Sequence, residues 1–257
     1  MIEELSRLTP FAAESLWRAF AVFVRVGAFV SLLPVFGEQS VPMRVRLVIV
    51  GAFTLIVVPT VPPMPFEPDT GTLMWLTLTE TLAGVILGIG IRLFVLGLQT
   101  AGSIAAQSTS LSQILGGAVA EPLPAMGYIL IVAGLALAVM LGLHVRAAEL
   151  MILSYDLLPM GQFPTGSVLS EWGLGQVRSA FVLAFTLAAP FVILSVLYNL
   201  ALGAINKAMP QLMVAFVGAP VITAGGLFLL FLASPLILKT WVTAMNAFLA
   251  NPFEIQP

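Results

Sequence analysis

The sequence predicts an all-α membrane-complex protein built from tilted, kinked helix hairpins. Three observations carry that expectation. The 257 residues are 60% hydrophobic and 9% charged, where a soluble domain carries about 25% charge. The apolar residues gather in long runs that reach or approach the ~20 residues needed to cross a hydrocarbon core. No stretch shows the apolar/polar alternation of a half-buried strand, and no repeat of fixed period is visible.

Taken in order, the runs lie near residues 11–35, 44–61, 73–98, 126–143, 180–205 and 212–250. The last is long enough for a helical hairpin, so six or seven helices are expected. Pro190, Pro220 and Pro235 fall inside apolar stretches, where each is predicted to kink or break its helix. The segment 144–178 carries mixed charge, with Arg146, Glu149, Asp156, Glu171 and Arg178, and so gives little guide to orientation.

Charge narrows the partners. The net charge is −2, with no basic tail and no charge run, which argues against nucleic acid and leaves lipid and protein. Cysteine is absent, so disulfides and thiolate metal sites are excluded. The opening MIEELSRLTP places Glu3 and Glu4 where a signal peptide needs basic residues, so it is expected to be retained. Arg44 and Arg46 follow the first run and Glu67 and Asp69 the second, a weak hint that the first loop is cytoplasmic.

The polar residues within the runs are the candidates for function. A charged side chain at a bilayer centre costs about 2.5–3.5 kcal/mol on insertion scales, so each needs a partner or a sheltered place. Glu14, Arg18 and Arg25 share one helical face. A Glu14–Arg18 ion pair with Arg25 snorkelling is one reading, and a face turned to another subunit is the other. In TETLAGVILGIGIRLF, Gly84 and Gly88 form a small-xxx-small surface for close helix approach. Glu80 and Arg92 flank that surface about 18 Å apart along the helix, so each requires a different partner. An intramembrane carboxylate such as Glu80 could also relay protons.

Gln99, Ser103, Gln107 and Ser110 then form a polar stripe among small residues, which reads either as a helix seam or as a wall facing water. It runs into Leu111, Ile114, Leu115, Gly116, Gly117, Glu121 and Pro122, a loop at apolar depth that protein or a cavity must shelter. Asn199, Gly203 and Asn206 make a second stripe. His144 is the single histidine, and no second ligand type clusters with it. No phosphate-binding loop, zinc motif or nucleophile elbow is present, so no enzyme activity and no cofactor are expected.

Several segments together resemble one family: RVGAFVSLLPVFGEQSVPMRVRL, ETLAGVILGIG, SIAAQ, GLHVRAAELMILSYDLLPMG, APFVILSVLYNLALGAINKAMPQL, and a tail with Pro220 and Gly225-Gly226. The chain is similar to the FliR family of flagellar type III secretion export-gate proteins, whose injectisome counterpart is the SctT family. The resemblance spans nearly the whole chain. It implies a FliP-like part over residues 1–175 and a FliQ-like hairpin part over 176–257. It further implies assembly with FliP and FliQ in a ring in the bacterial inner membrane, at the flagellar basal body, with FlhB and FlhA adjacent. That ring would form the entrance pore for unfolded export substrates, with a plug loop near 107–122.

On this reading Arg18, Arg25, Glu80, Gly84, Gly88, Arg92, Asn199, Gly203 and Asn206 are assembly-interface candidates whose partners can come from neighbouring subunits. The family commonly has asparagine where this chain has Met213, and Asp-Pro where it has Glu121-Pro122. The alternatives are a secondary transporter, which calls for an inverted repeat that the sequence does not display, and a scaffold subunit that conducts nothing.

Overall fold

The computed structural model describes residues 2–63, 70–109, 125–209 and 214–253. Among them are seven α-helices, one short 3-10 turn and no strand. The elements are α1 (Ile2–Leu32), α2 (Met43–Val57), η1 (Val58–Thr60), α3 (Thr70–Thr109), α4 (Ala125–Met140), α5 (Leu143–Leu157), α6 (Gly166–Ala208) and α7 (Val214–Ala250). Five helices are long and apolar enough to cross a membrane. The pair Met126–Met140 and Leu143–Leu157, bent by 70°, makes a sixth candidate if it is one broken span.

Local chemistry sets the boundaries. Pro42, extended at φ −58° and ψ 143°, precedes α2, where the missing proline N–H costs no hydrogen bond. The bend between α4 and α5 sits at Gly142, whose φ of 87° is a left-handed value that glycine reaches without strain. Pro159 follows the end of α5 and cannot continue the helix.

Two expectations change. Of the run 212–250, the described residues Val214–Ala250 form one helix, α7, not a hairpin. It has no polar turn to break it, and Gly226 is packed: a Cβ there would lie 2.9 Å from the Cβ of Thr109. Pro190, Pro220 and Pro235 lie inside α6 and α7 without ending them.

The described residues fall into two compact units, each gathered from separate stretches. One comprises Met1–Arg92, Val139–Leu174 and Asn246–Ile255, and the other includes Leu93–Ala138 and Gly175–Met245. In the first, Val22, Val26 and Phe29 of α1, Leu33 just after it, and Leu76, Leu87 and Ile91 of α3 are buried. In the second, Leu98, Leu130, Phe191 and Trp241 are buried, and the Trp241 indole N–H donates to the Phe94 carbonyl at 2.8 Å. There α3 and α4 cross so closely that a Cβ on Gly102 would meet the Gly127 backbone.

Candidate functional site

The most elaborate polar feature lies in the first unit, around Arg25. Its side chain is 1% exposed and that of Glu80 is 0% exposed, so neither charge has water. Arg25 Nε and Nη2 donate to the two Glu80 carboxylate oxygens at 2.8 and 3.1 Å, a fork-on-fork pair. Nη1 donates to the Ser154 carbonyl at 3.2 Å and the Ser154 hydroxyl at 3.1 Å, and Nη2 donates to the Leu158 carbonyl at 2.9 Å. All five N–H groups of the guanidinium therefore have acceptors.

Glu80 is equally occupied. Besides Arg25 it accepts from the Tyr155 hydroxyl at 3.3 Å and from the Gly161 backbone N–H at 3.2 Å. The Tyr155 ring stacks on the guanidinium, 3.8 Å from Arg25 Cζ to the ring centroid. Ser154 lies in the last turn of α5 and Leu158 is its C-cap residue, so the cation also caps the negative end of a helix. Trp75 donates its indole N–H to the Gly161 carbonyl at 2.9 Å and holds the same turn from the other side. The result ties α1, α3, α5 and the α5–α6 turn into one joint.

The glycine surface of α3 packs beside this joint. A Cβ on Gly84 would strike the Arg25 carbonyl, and one on Gly88 would lie 2.7 Å from the Leu32 Cβ. The helix that approaches is α1 of the same chain. Arg92 finds Glu38, on the turn after α1, as its partner. Arg25, Glu80, Gly84, Gly88 and Arg92, expected to find partners on neighbouring subunits, have contacts within the chain. Residues 25, 80 and 154 lie far apart in sequence, and only the packing of α1, α3 and α5 brings them together. Glu80 and Arg92 do have different partners, as their 12-residue spacing requires.

The remaining candidates are dispersed. Glu14 and Arg18 form no ion pair, and Arg18 Nη1 donates to the Val61 carbonyl at 3.4 Å. Gln107 is exposed near the end of α3, while Ser110, Leu111, Ile114, Leu115, Gly116, Gly117, Glu121 and Pro122 lie outside the described residues, as does Met213. Asn199, Gly203 and Asn206 lie exposed along α6, and nothing stands within 4 Å of a Cβ on Gly203. Asn199 turns its amide back to the Ser195 carbonyl at 2.8 Å. His144 is exposed. Among the described residues no group of three or more His, Cys, Asp or Glu is placed to hold a metal.

Sequence reading missed Ser154, Tyr155, Gly161, Trp75 and Glu38. The signal available was Leu158-Pro159-Met160-Gly161, a helix stop and turn beside an apolar tyrosine.

Long apolar helices joined by a buried, fully hydrogen-bonded ion pair define a polytopic helical membrane protein. Residues 16–248 match the family model described as bacterial export proteins, family 1, and the chain belongs to that family. It is similar to the flagellar biosynthetic protein FliR of Caulobacter vibrioides, with 32% identity over 229 residues, 87% of this chain and 90% of the relative. The FliR of Escherichia coli is 28% identical, covering 85% of this chain and 84% of its own length, and that of Bacillus subtilis is 26% identical, covering 88% of each. Family membership makes the chain a component of a flagellar export apparatus, which is not a known class of enzyme.

Proposed function

We propose that this chain forms part of the entrance pore for unfolded export substrates, together with FliP and FliQ, in the bacterial inner membrane at the flagellar basal body. FlhB and FlhA are its neighbours, residues 1–175 are its FliP-like part and 176–257 its FliQ-like part. The role is conduction and positioning, without catalysis.

One observation carries this reading. Large apolar side chains stay exposed along α6 from Leu174 to Ile205. At 1.5 Å per residue that face is about 46 Å long. A ~30 Å hydrocarbon core offers only about 39 Å of path even at the 40° limit of common helix tilts. Lipid cannot cover the whole face, so other protein must cover the rest. The exposed Asn199, Gly203 and Asn206 stripe lies within that stretch or one residue beyond it, where amides need partners and a glycine admits close approach.

The segment from Gln107 to Pro122 supplies the plug. Gly116-Gly117 lets the backbone move at low conformational cost, and Leu111, Ile114 and Leu115 suit an apolar constriction that closes by excluding water.

The test is extraction in detergent with and without co-expressed FliP and FliQ. Produced alone, the chain is expected to aggregate or be recovered at low yield, and with both partners it is expected in a discrete complex. A monodisperse, thermally stable monomer from the chain alone contradicts the proposal.

A further inference from the structure

The turn that joins α1 to α2 is folded against its own backbone preference. Val35 sits at φ 72°, a left-handed conformation that a β-branched residue occupies only under strain. Gly37, which could take such a value freely, serves a different need: a Cβ there would fall 2.7 Å from the Ser31 carbonyl carbon and 2.9 Å from the Val30 carbonyl oxygen. Leu33 and Pro34 are buried, and the Gly37 N–H donates to the Leu33 carbonyl at 2.7 Å, so the start of the turn is fixed.

The far side is held by two cations that converge on Glu38 from different helices. Arg92 of α3 donates Nη1 to the Glu38 carboxylate. Arg46 of α2 donates Nη2 to the Glu38 carbonyl at 2.9 Å and to the Val41 carbonyl at 3.4 Å. Arg92 and Glu38 are 36% and 32% exposed, so this pair, unlike Arg25–Glu80, is open to solvent and to competing ions. The strain of one left-handed valine exceeds what one half-exposed ion pair contributes, so the Arg92–Glu38 pair holds the turn only together with the Arg46 bonds and the buried Leu33 and Pro34.

We infer that the α1–α2 turn is a loaded latch: Glu38, gripped by Arg92 and Arg46, holds Val35 in the left-handed region, and loss of the Arg92–Glu38 pair lets residues 35–41 relax. Because the chain has no cysteine, Gln39→Cys gives a single site for a nitroxide label on this turn, in the full chain within its membrane complex. In that background Glu38→Gln is expected to raise the mobile fraction of the electron paramagnetic resonance spectrum about twofold. Adding Val35→Asn, a residue that tolerates the left-handed region, is expected to return the spectrum toward the parent.

Arg92→Gln serves as an independent break and must behave as Glu38→Gln does. Raising the ionic strength to about 1 M, where the screening length falls to about 3 Å, must loosen the parent but not the Glu38→Gln variant. An unchanged spectrum in Glu38→Gln, or a failure of Val35→Asn to restore it, overturns the latch.

Discussion

At the scale of single residues, Arg25 and Glu80 show why a greasy chain keeps guanidinium groups. The sequence marks both as costly and demands partners for them, and it separates Glu80 from Arg92 by helix length alone. It could not show that the partners are each other, since residues 25 and 80 belong to different helices and nothing in their spacing records that contact. The joint makes a sharp prediction. Removing one member of a buried pair leaves an uncompensated charge and costs about 3–5 kcal/mol. Arg25→Met and Glu80→Leu are each expected to lower the thermal stability of the purified complex by that order. The double variant Arg25→Met/Glu80→Leu is expected to lose much less than the sum, because no charge is left stranded. Additive losses in the double-mutant cycle would show that the two side chains do not act as a unit.

At the scale of elements, the glycines of α3 were legible as surfaces of close approach but not as to which helix approaches. Gly84 and Gly88 face α1, and Gly102 faces α4, all within the chain. The built geometry separates glycines that look alike in sequence. A Cβ on Gly102 would press on the Gly127 backbone, whereas one on Gly127 would find its nearest neighbour at 3.4 Å, ordinary contact. Gly102→Ala is therefore expected to reduce recovery of folded protein while Gly127→Ala is tolerated, as read by size-exclusion profile and melting temperature.

Gly51, in α2, has nothing within 4 Å of a built Cβ. Gly51→Ala is expected to stabilise by about 0.5–1 kcal/mol through helix propensity, against a loss for Gly84→Ala. A loss at Gly51 equal to that at Gly84 would mean that propensity and packing have been misassigned here. Other elements were misread for a plain reason. Hydropathy counts apolar residues, so it could not show that Val214–Ala250 runs as one helix through Pro220, Pro235 and two adjacent glycines.

At the scale of the whole molecule, composition alone announced an all-α membrane protein, and the order of many weak segments announced the family. What the sequence could not display was length in space. α3, α6 and α7, with 40, 43 and 37 residues, are about 55–65 Å long, well beyond a ~30 Å hydrocarbon core. Their exposed apolar faces are the physical ground for a subunit completed by others. The function proposed above has the segment 107–122 close a pore that the assembled subunits enclose. The most direct test is deletion of residues 110–119, with the complex first shown to assemble. Membrane conductance and sensitivity to small solutes are then measured in cells carrying it. A pore-wall subunit with its plug removed predicts an assembled but leaky complex. An assembled deletion variant as tight as the parent would contradict it, and would leave this segment a seam in a scaffold that does not gate.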